Sequence, residues 1–208
     1  PEFKVYGEIF RGGVDESVKT AVRKSASDYL DKNIFTDYPS PIKAVGFKIF
    51  YQHPVWDPSG NVWQYLREME DLRVIHLRRH NLLKSFVSWK IAQKTDVWKQ
   101  ANNASLELDK RVAISPEECV AFFEQTLQQE KIADERFSGK PLLQTTYESL
   151  TGQFGEQMNL IQEFLNVDAL PIAMKTVKQN PESLSELIIN YDELSHAFSG
   201  TRWEAYLA

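Results

Sequence analysis

"VIHLRRHNLLKSFVSWKIA", residues 74–92, runs three apolar residues, Val74, Ile75 and Leu77, into the adjacent arginines Arg78 and Arg79, after which a helical pattern begins. Short, β-prone and bounded by charge, "LRVIHL" (72–77) predicts a buried strand, and "NLLKSFVSWKIAQK" (81–94) predicts a helix. Two fixed positive charges therefore sit where a strand ends and a helix starts. In a parallel α/β sheet, ligands bind outside the carboxyl ends of the strands. The N-terminus of the following helix adds free N–H groups and a partial positive charge. An arginine fork holds a phosphate through two parallel hydrogen bonds, and Ser88 offers a hydroxyl to the same anion. The stretch reads as a phosphomonoester site, against the alternative of a structural pair with one arginine salt-bridged and the other solvated.

The same alternation extends outward. "KAVGFKIFY" (43–51) predicts a strand and "KPLLQTTYESL" (140–150) contains another. "VDESVKTAVRKSASDYLDKN" (14–33) predicts one helix with Asp15 as its N-cap and Val18, Ala21, Val22, Ser25 and Tyr29 on one face. "SPEECVAFFEQTLQQEKIADE" opens with Ser115 as N-cap, Pro116 at the first helical position and Glu118 closing a capping box. "GEQMNLIQEFLNV" and "SLSELIINYDELSHAF" read as helices, the second with a box formed by Ser183 and Glu186. "TDVWKQANNASLELDKRVA" (95–113) has no clear period, and loops of that length in compact domains are usually functional or mobile. Strands alternating with helices imply an α/β domain with a largely parallel sheet.

The 208 residues fit one domain spanning 1–208, and 42% hydrophobic with 25% charged residues is the balance of a soluble globular protein. A net charge of −5 argues against a nucleic-acid partner, whose footprint is a basic surface. The lone Cys119 lies in an apolar stripe with Phe122, Phe123 and Leu127 and reads as a packed core thiol. No run has the length of a transmembrane segment and no signal region is legible, so a cytoplasmic location is expected. His76 and His80 flank the arginines but suit a metal poorly, because one of them belongs to the strand.

The opening stretch, with Arg79 at the strand end and Ser88 on the helix, resembles the 3′-phosphate-binding strand–helix segment of sulfotransferases that use phosphoadenosine phosphosulfate (PAPS). Its double arginine and a helix carrying "VS" are similar to the bacterial carbohydrate branch, which includes trehalose and nodulation-factor sulfotransferases. "PEFKVYGEIF" resembles the segment after that family's first helix, and "AVGFKIFY" its next strand. "LLQTTYESL" resembles a late strand ending in a Tyr-Glu pair. "TVKQNPESLSELIINYDEL" with "GTRWEAYL" resembles the C-terminal region. The resemblance implies a P-loop-type three-layer sandwich with a mostly parallel sheet and a helix-rich periphery. It implies PAPS as co-substrate, the desulfated nucleotide as product, no metal, and a carbohydrate or glycolipid hydroxyl as acceptor.

In that scheme Arg79 and Ser88 hold the 3′-phosphate, with Ser85 in reserve and Arg78 beside them, and Lys178 in "TVKQN" meets the nucleotide phosphates. Glu8, after Gly7 in "YGEIF", falls where the trehalose-type enzymes carry a proposed glutamate base. His53 in "YQHP" is the alternative base, with an ordinary pKa suited to the task. Of the family's Gly/Ser-rich phosphosulfate loop there is no string here; "RGGV" (11–14) lacks the Ser/Thr and the preceding strand. The loop and its strand are expected upstream of Pro1. Two competing readings are a sulfotransferase-fold nucleotide-binding protein without turnover and a P-loop small-molecule kinase, the latter opposed by the absent Walker-type lysine loop.

Overall fold

The structure, a computed structural model, describes residues 2–98, 109–174 and 179–208. These form two compact units, each assembled from three stretches of chain: unit 1 from 1–76, 130–145 and 155–171, and unit 2 from 77–129, 146–154 and 172–208. The larger part of the aperiodic stretch 95–113 lies outside the described residues.

Unit 1 opens with β1 (Phe3–Tyr6), followed by α1 (Glu16–Lys24), α2 (Ala26–Asn33) and β2 (Ala44–Phe47). The two strands are parallel, with Phe3 opposite Ala44 and Tyr6 opposite Phe47. A parallel pair needs a crossover, and the two helices supply it. The helix predicted over 14–33 is broken at Ser25, whose backbone is extended at φ −159° and ψ 106°. Its hydroxyl accepts a hydrogen bond from the Asp28 N–H and caps the second helix. Serine competes with a continuing helix by offering its oxygen to such a free N–H. The break also resets the buried face: Val22 is buried in α1, Ala26 and Leu30 in α2, and Ala21 faces solvent. Asp15 stands at the N-cap position of α1 but caps it through no side-chain bond.

α3 (Asn61–Glu68) leads to β3 (Val74–Arg78), which is paired with β4 (Leu142–Thr146). The expectation of a buried β3 needs correction. His76 is the buried residue, at 7% exposed, whereas Ile75 and Leu77 are 38% and 51% exposed. Strand alternation puts one set of side chains inside, and here it is the set containing the histidine. That arrangement is tolerable because both ring nitrogens are hydrogen-bonded. α7 (Phe154–Phe164) also belongs to unit 1. The core collects Phe10, Val22, Leu30, Trp56, Val62, Leu66 and Phe137.

Unit 2 contains α4 (Leu82–Thr95), the first part of α5 (Pro116–Arg136), α6 (Tyr147–Gly152), α8 (Leu184–Leu187), α9 (Tyr191–Phe198) and a closing 3₁₀ turn at Glu204–Leu207. The capping box of α5 is present in both directions, Glu118 N–H to Ser115 Oγ and Ser115 N–H to Glu118 Oε2, each 3.2 Å. Ser115→Ala removes one half and is expected to lower stability by about 1 kcal/mol. A shifted urea midpoint with an unchanged slope is the check.

The helix predicted from 183 is interrupted. Its Ser183–Glu186 box is formed, but Ile188 is extended and makes a parallel bridge to Val112. Asn190 then clamps Ile114, donating to its carbonyl (3.0 Å) and accepting from its N–H (3.1 Å). The β-branched pair Ile188–Ile189 suits this extended segment better than a helix. Phe123 is fully buried between Phe198, Trp203 and Tyr206, with ring centroids at 6.0, 5.2 and 5.0 Å. Cys119 lies in the same core, and burial pushes its thiol up to about 12. At that value almost no thiolate exists near neutrality, so it is a packing residue.

Candidate functional site

The turn from β3 to α4 is fixed from several directions, all within unit 2. Asn81 caps α4 by accepting from the Lys84 N–H at 2.9 Å, and its amide donates to the carbonyls of Tyr206 and Ala208, each at 3.0 Å. The N–H groups of His80 and Asn81 donate to the two carboxylate oxygens of Glu148, at 3.1 and 3.3 Å. This revises the electrostatic argument made from sequence. Two of the amides at this turn, those of His80 and the N-cap Asn81, are held by the chain's own carboxylate. Burial alone would raise the Glu148 carboxyl. The backbone N–H groups of His80, Glu148 and Asn81 and the charge of Arg79 outweigh it and hold the group below the usual carboxylate range.

Arg79 is half-buried, with its guanidinium 4.4 Å from the ring centroid of Tyr147. Cation–π contact of this kind orients a planar fork without using its hydrogen-bond donors. Burial pulls the guanidinium below its ordinary value, partly offset by Tyr147 and Glu148, and it stays charged throughout the physiological range. Its Nε is buried and has no hydrogen-bond partner among the described residues. Arg78 closes β3 and is half-buried.

Ser88 lies on α4, half-buried, and its hydroxyl accepts from the Asn180 amide at 3.2 Å. The Asn180 carbonyl oxygen is buried without a partner among the described residues. No hydrogen bond joins Arg79 to Ser88 among the described residues, so any shared role would run through a ligand. Ser85 is half-buried on the same helix, its N–H donating to the Asn81 carbonyl at 3.2 Å. Lys178 lies outside the described residues.

The two base candidates fall together in unit 1, at the carboxyl ends of the parallel strands β1 and β2. The ladder runs one step past the strands, with Lys48 N–H donating to the Gly7 carbonyl at 3.0 Å. That step places Lys48 Nζ 2.7 Å from the carboxylate of Glu8. Lys48 also lies over the Phe50 ring, and Phe50 meets His53 edge-on, with centroids 5.1 Å apart. His53 is 9% exposed and its Nδ1 has no partner among the described residues. Burial lowers its pKa, the charge of Glu8 raises it and Lys48 lowers it again, for a net fall. A neutral imidazole near pH 7 follows, beside a carboxylate already paired with a cation.

Sequence reasoning passed over Tyr147, Glu148, Lys48 and Asn180 as site residues. "LLQTTYESL" carries the signal for the first two, but its pattern reads as a strand ending in a Tyr-Glu pair; in the structure Tyr147 instead opens α6, capped by Thr146. Among the described residues no group of three His, Cys, Asp or Glu side chains is placed to hold a metal. None of the helices among them is long and apolar enough to cross a membrane. The chain matches no protein-family model, no curated protein and no solved structure.

Proposed function

We propose that the chain is a sulfotransferase domain of P-loop type, moving a sulfuryl group from PAPS to a hydroxyl of a carbohydrate or glycolipid. The observation that carries this reading is Arg79: a half-buried guanidinium at a strand end, steadied by the face of Tyr147 and keeping a buried Nε without a partner among the described residues. A fork held by an aromatic ring rather than by a carboxylate keeps donors for a phosphate. Arg79 and Ser88 then hold the 3′-phosphate, with Arg78 and Lys178 as further cationic contacts. Glu8 takes the proton of the attacking hydroxyl and Lys48 fixes its carboxylate, with His53 the alternative base.

Sulfuryl transfer asks for in-line placement, stabilised charge and a proton acceptor, and none of these requires a metal. The test is calorimetric comparison of two nucleotides. Adenosine 3′,5′-bisphosphate should bind at least about tenfold tighter than adenosine 5′-monophosphate, the size of one charge-assisted contact. Equal affinity for the two would remove the 3′-phosphate site and leave Arg79 as a structural partner of Tyr147 and Glu148.

A further inference from the structure

Unit 1 contains an ordered array of polar groups that the proposed reaction does not use. His76, buried on β3, has Nδ1 3.0 Å from Asp134 Oδ1 and Nε2 2.7 Å from the Tyr51 hydroxyl. A carboxylate can only accept, so Nδ1 carries the proton. Nε2 is then the acceptor, and the hydrogen of the 2.7 Å bond belongs to Tyr51. The rings meet edge-on at 84°, with centroids 5.7 Å apart. Gln144 donates to the same Asp134 oxygen at 3.4 Å, adding a second hold on the carboxylate. The middle of the array is shut off from water and its ends are not: the Asp134 side chain is 38% exposed and Tyr51 is half-buried. Tyr51 also lies in the loop that leaves β2, the loop that carries Lys48 and His53 at the ligand-binding ends of the parallel strands.

We propose that Tyr51 is a nucleophile, activated by His76 as base and held in register by Asp134, and that it takes an acyl group from an activated ester. The logic is that of any hydroxyl–imidazole–carboxylate set, in which the third group fixes the tautomer and steadies the imidazolium. In the step, the Tyr51 oxygen bonds to the carbonyl carbon while its proton passes to His76 Nε2. The carbon–oxygen bond to the leaving group breaks, and the leaving group departs with that electron pair. The product is an aryl ester on Tyr51 beside an imidazolium facing Asp134. This centre stands independently of the nucleotide reading.

The experiment treats the 208-residue chain with p-nitrophenyl acetate and maps acetylation by peptide mass spectrometry. Of the chain's eight tyrosines, the seven besides Tyr51 serve as internal references. Tyr51 should be acetylated at least about tenfold faster than any other tyrosine, below the usual range for general-base assistance. His76→Gln should bring Tyr51 down to the rate of the rest while leaving the others unchanged, which shows that the fold is intact. Asp134→Asn, a change at the exposed end, should slow Tyr51 by several-fold and decides the matter if His76→Gln does not fold. A Tyr51 rate equal to that of the other tyrosines would overturn the proposal. So would fast labelling that persists in a folded variant lacking the imidazole or the carboxylate.

Discussion

Glu8→Gln is expected to cut sulfuryl turnover roughly 100-fold or more while leaving nucleotide affinity unchanged. Glutamine keeps the shape and loses the proton-accepting charge. The substitution also breaks the 2.7 Å pair with Lys48, but that lysine is 54% exposed. A pair so open to water contributes about 1 kcal/mol or less to stability, so the variant should melt close to the parent. A fall in kcat with an unmoved melt therefore reports chemistry. Turnover within a factor of a few of the parent would pass the role to His53. Its burial-lowered pKa leaves it neutral at pH 7, and its Nδ1 has no competing partner among the described residues.

Arg79→Ala is expected to weaken binding of adenosine 3′,5′-bisphosphate by about 10- to 100-fold, the range for losing a hydrogen-bonded charged contact. Adenosine 5′-monophosphate should not register the change. Glu148 complicates the measurement in a foreseeable way. Without the guanidinium it loses the charge that helps hold its pKa down, while the His80 and Asn81 N–H groups continue to do so. The turn should survive, and a circular dichroism melt run beside the calorimetry verifies it. Equal losses for the two nucleotides would mean that Arg79 serves the fold and not the 3′-phosphate.

The elements whose formation is decided locally were legible in the chain. The α5 start is written in three residues, Ser115, Pro116 and Glu118, and the box is made as the spacing requires. The strand–helix junction at Arg78–Arg79 is likewise where the residues put it. What could not be read depends on partners far away in sequence. Ile188 leaves its helix because Val112 offers a backbone partner 76 residues earlier, a contact invisible to a local period. His76 faces inward because Tyr51 and Asp134 are there to receive it, and no hydropathy pattern records that. Glu148 reaches the His80 and Asn81 amides just ahead of α4 from 68 and 67 residues away, so no local pattern shows that the chain supplies its own anion at this turn.

The division of the chain into two units has a bearing on how it is made. Each unit is stitched from three separated stretches, and the 21-residue α5 begins in one and ends in the other. Unit 1 cannot be complete until residue 171 has been synthesised, and unit 2 waits for a later segment still, so neither forms from one contiguous stretch of chain. Contacts that close long loops are formed late and slowly, because chain entropy is lost before the contact repays it. The interleaving also means that no single cut yields a whole unit: a break after His76 would strip unit 1 of Asp134 and of the strand that pairs with β3. Nor would permutation of the termini separate the two, because the six stretches alternate between the units all the way round the chain.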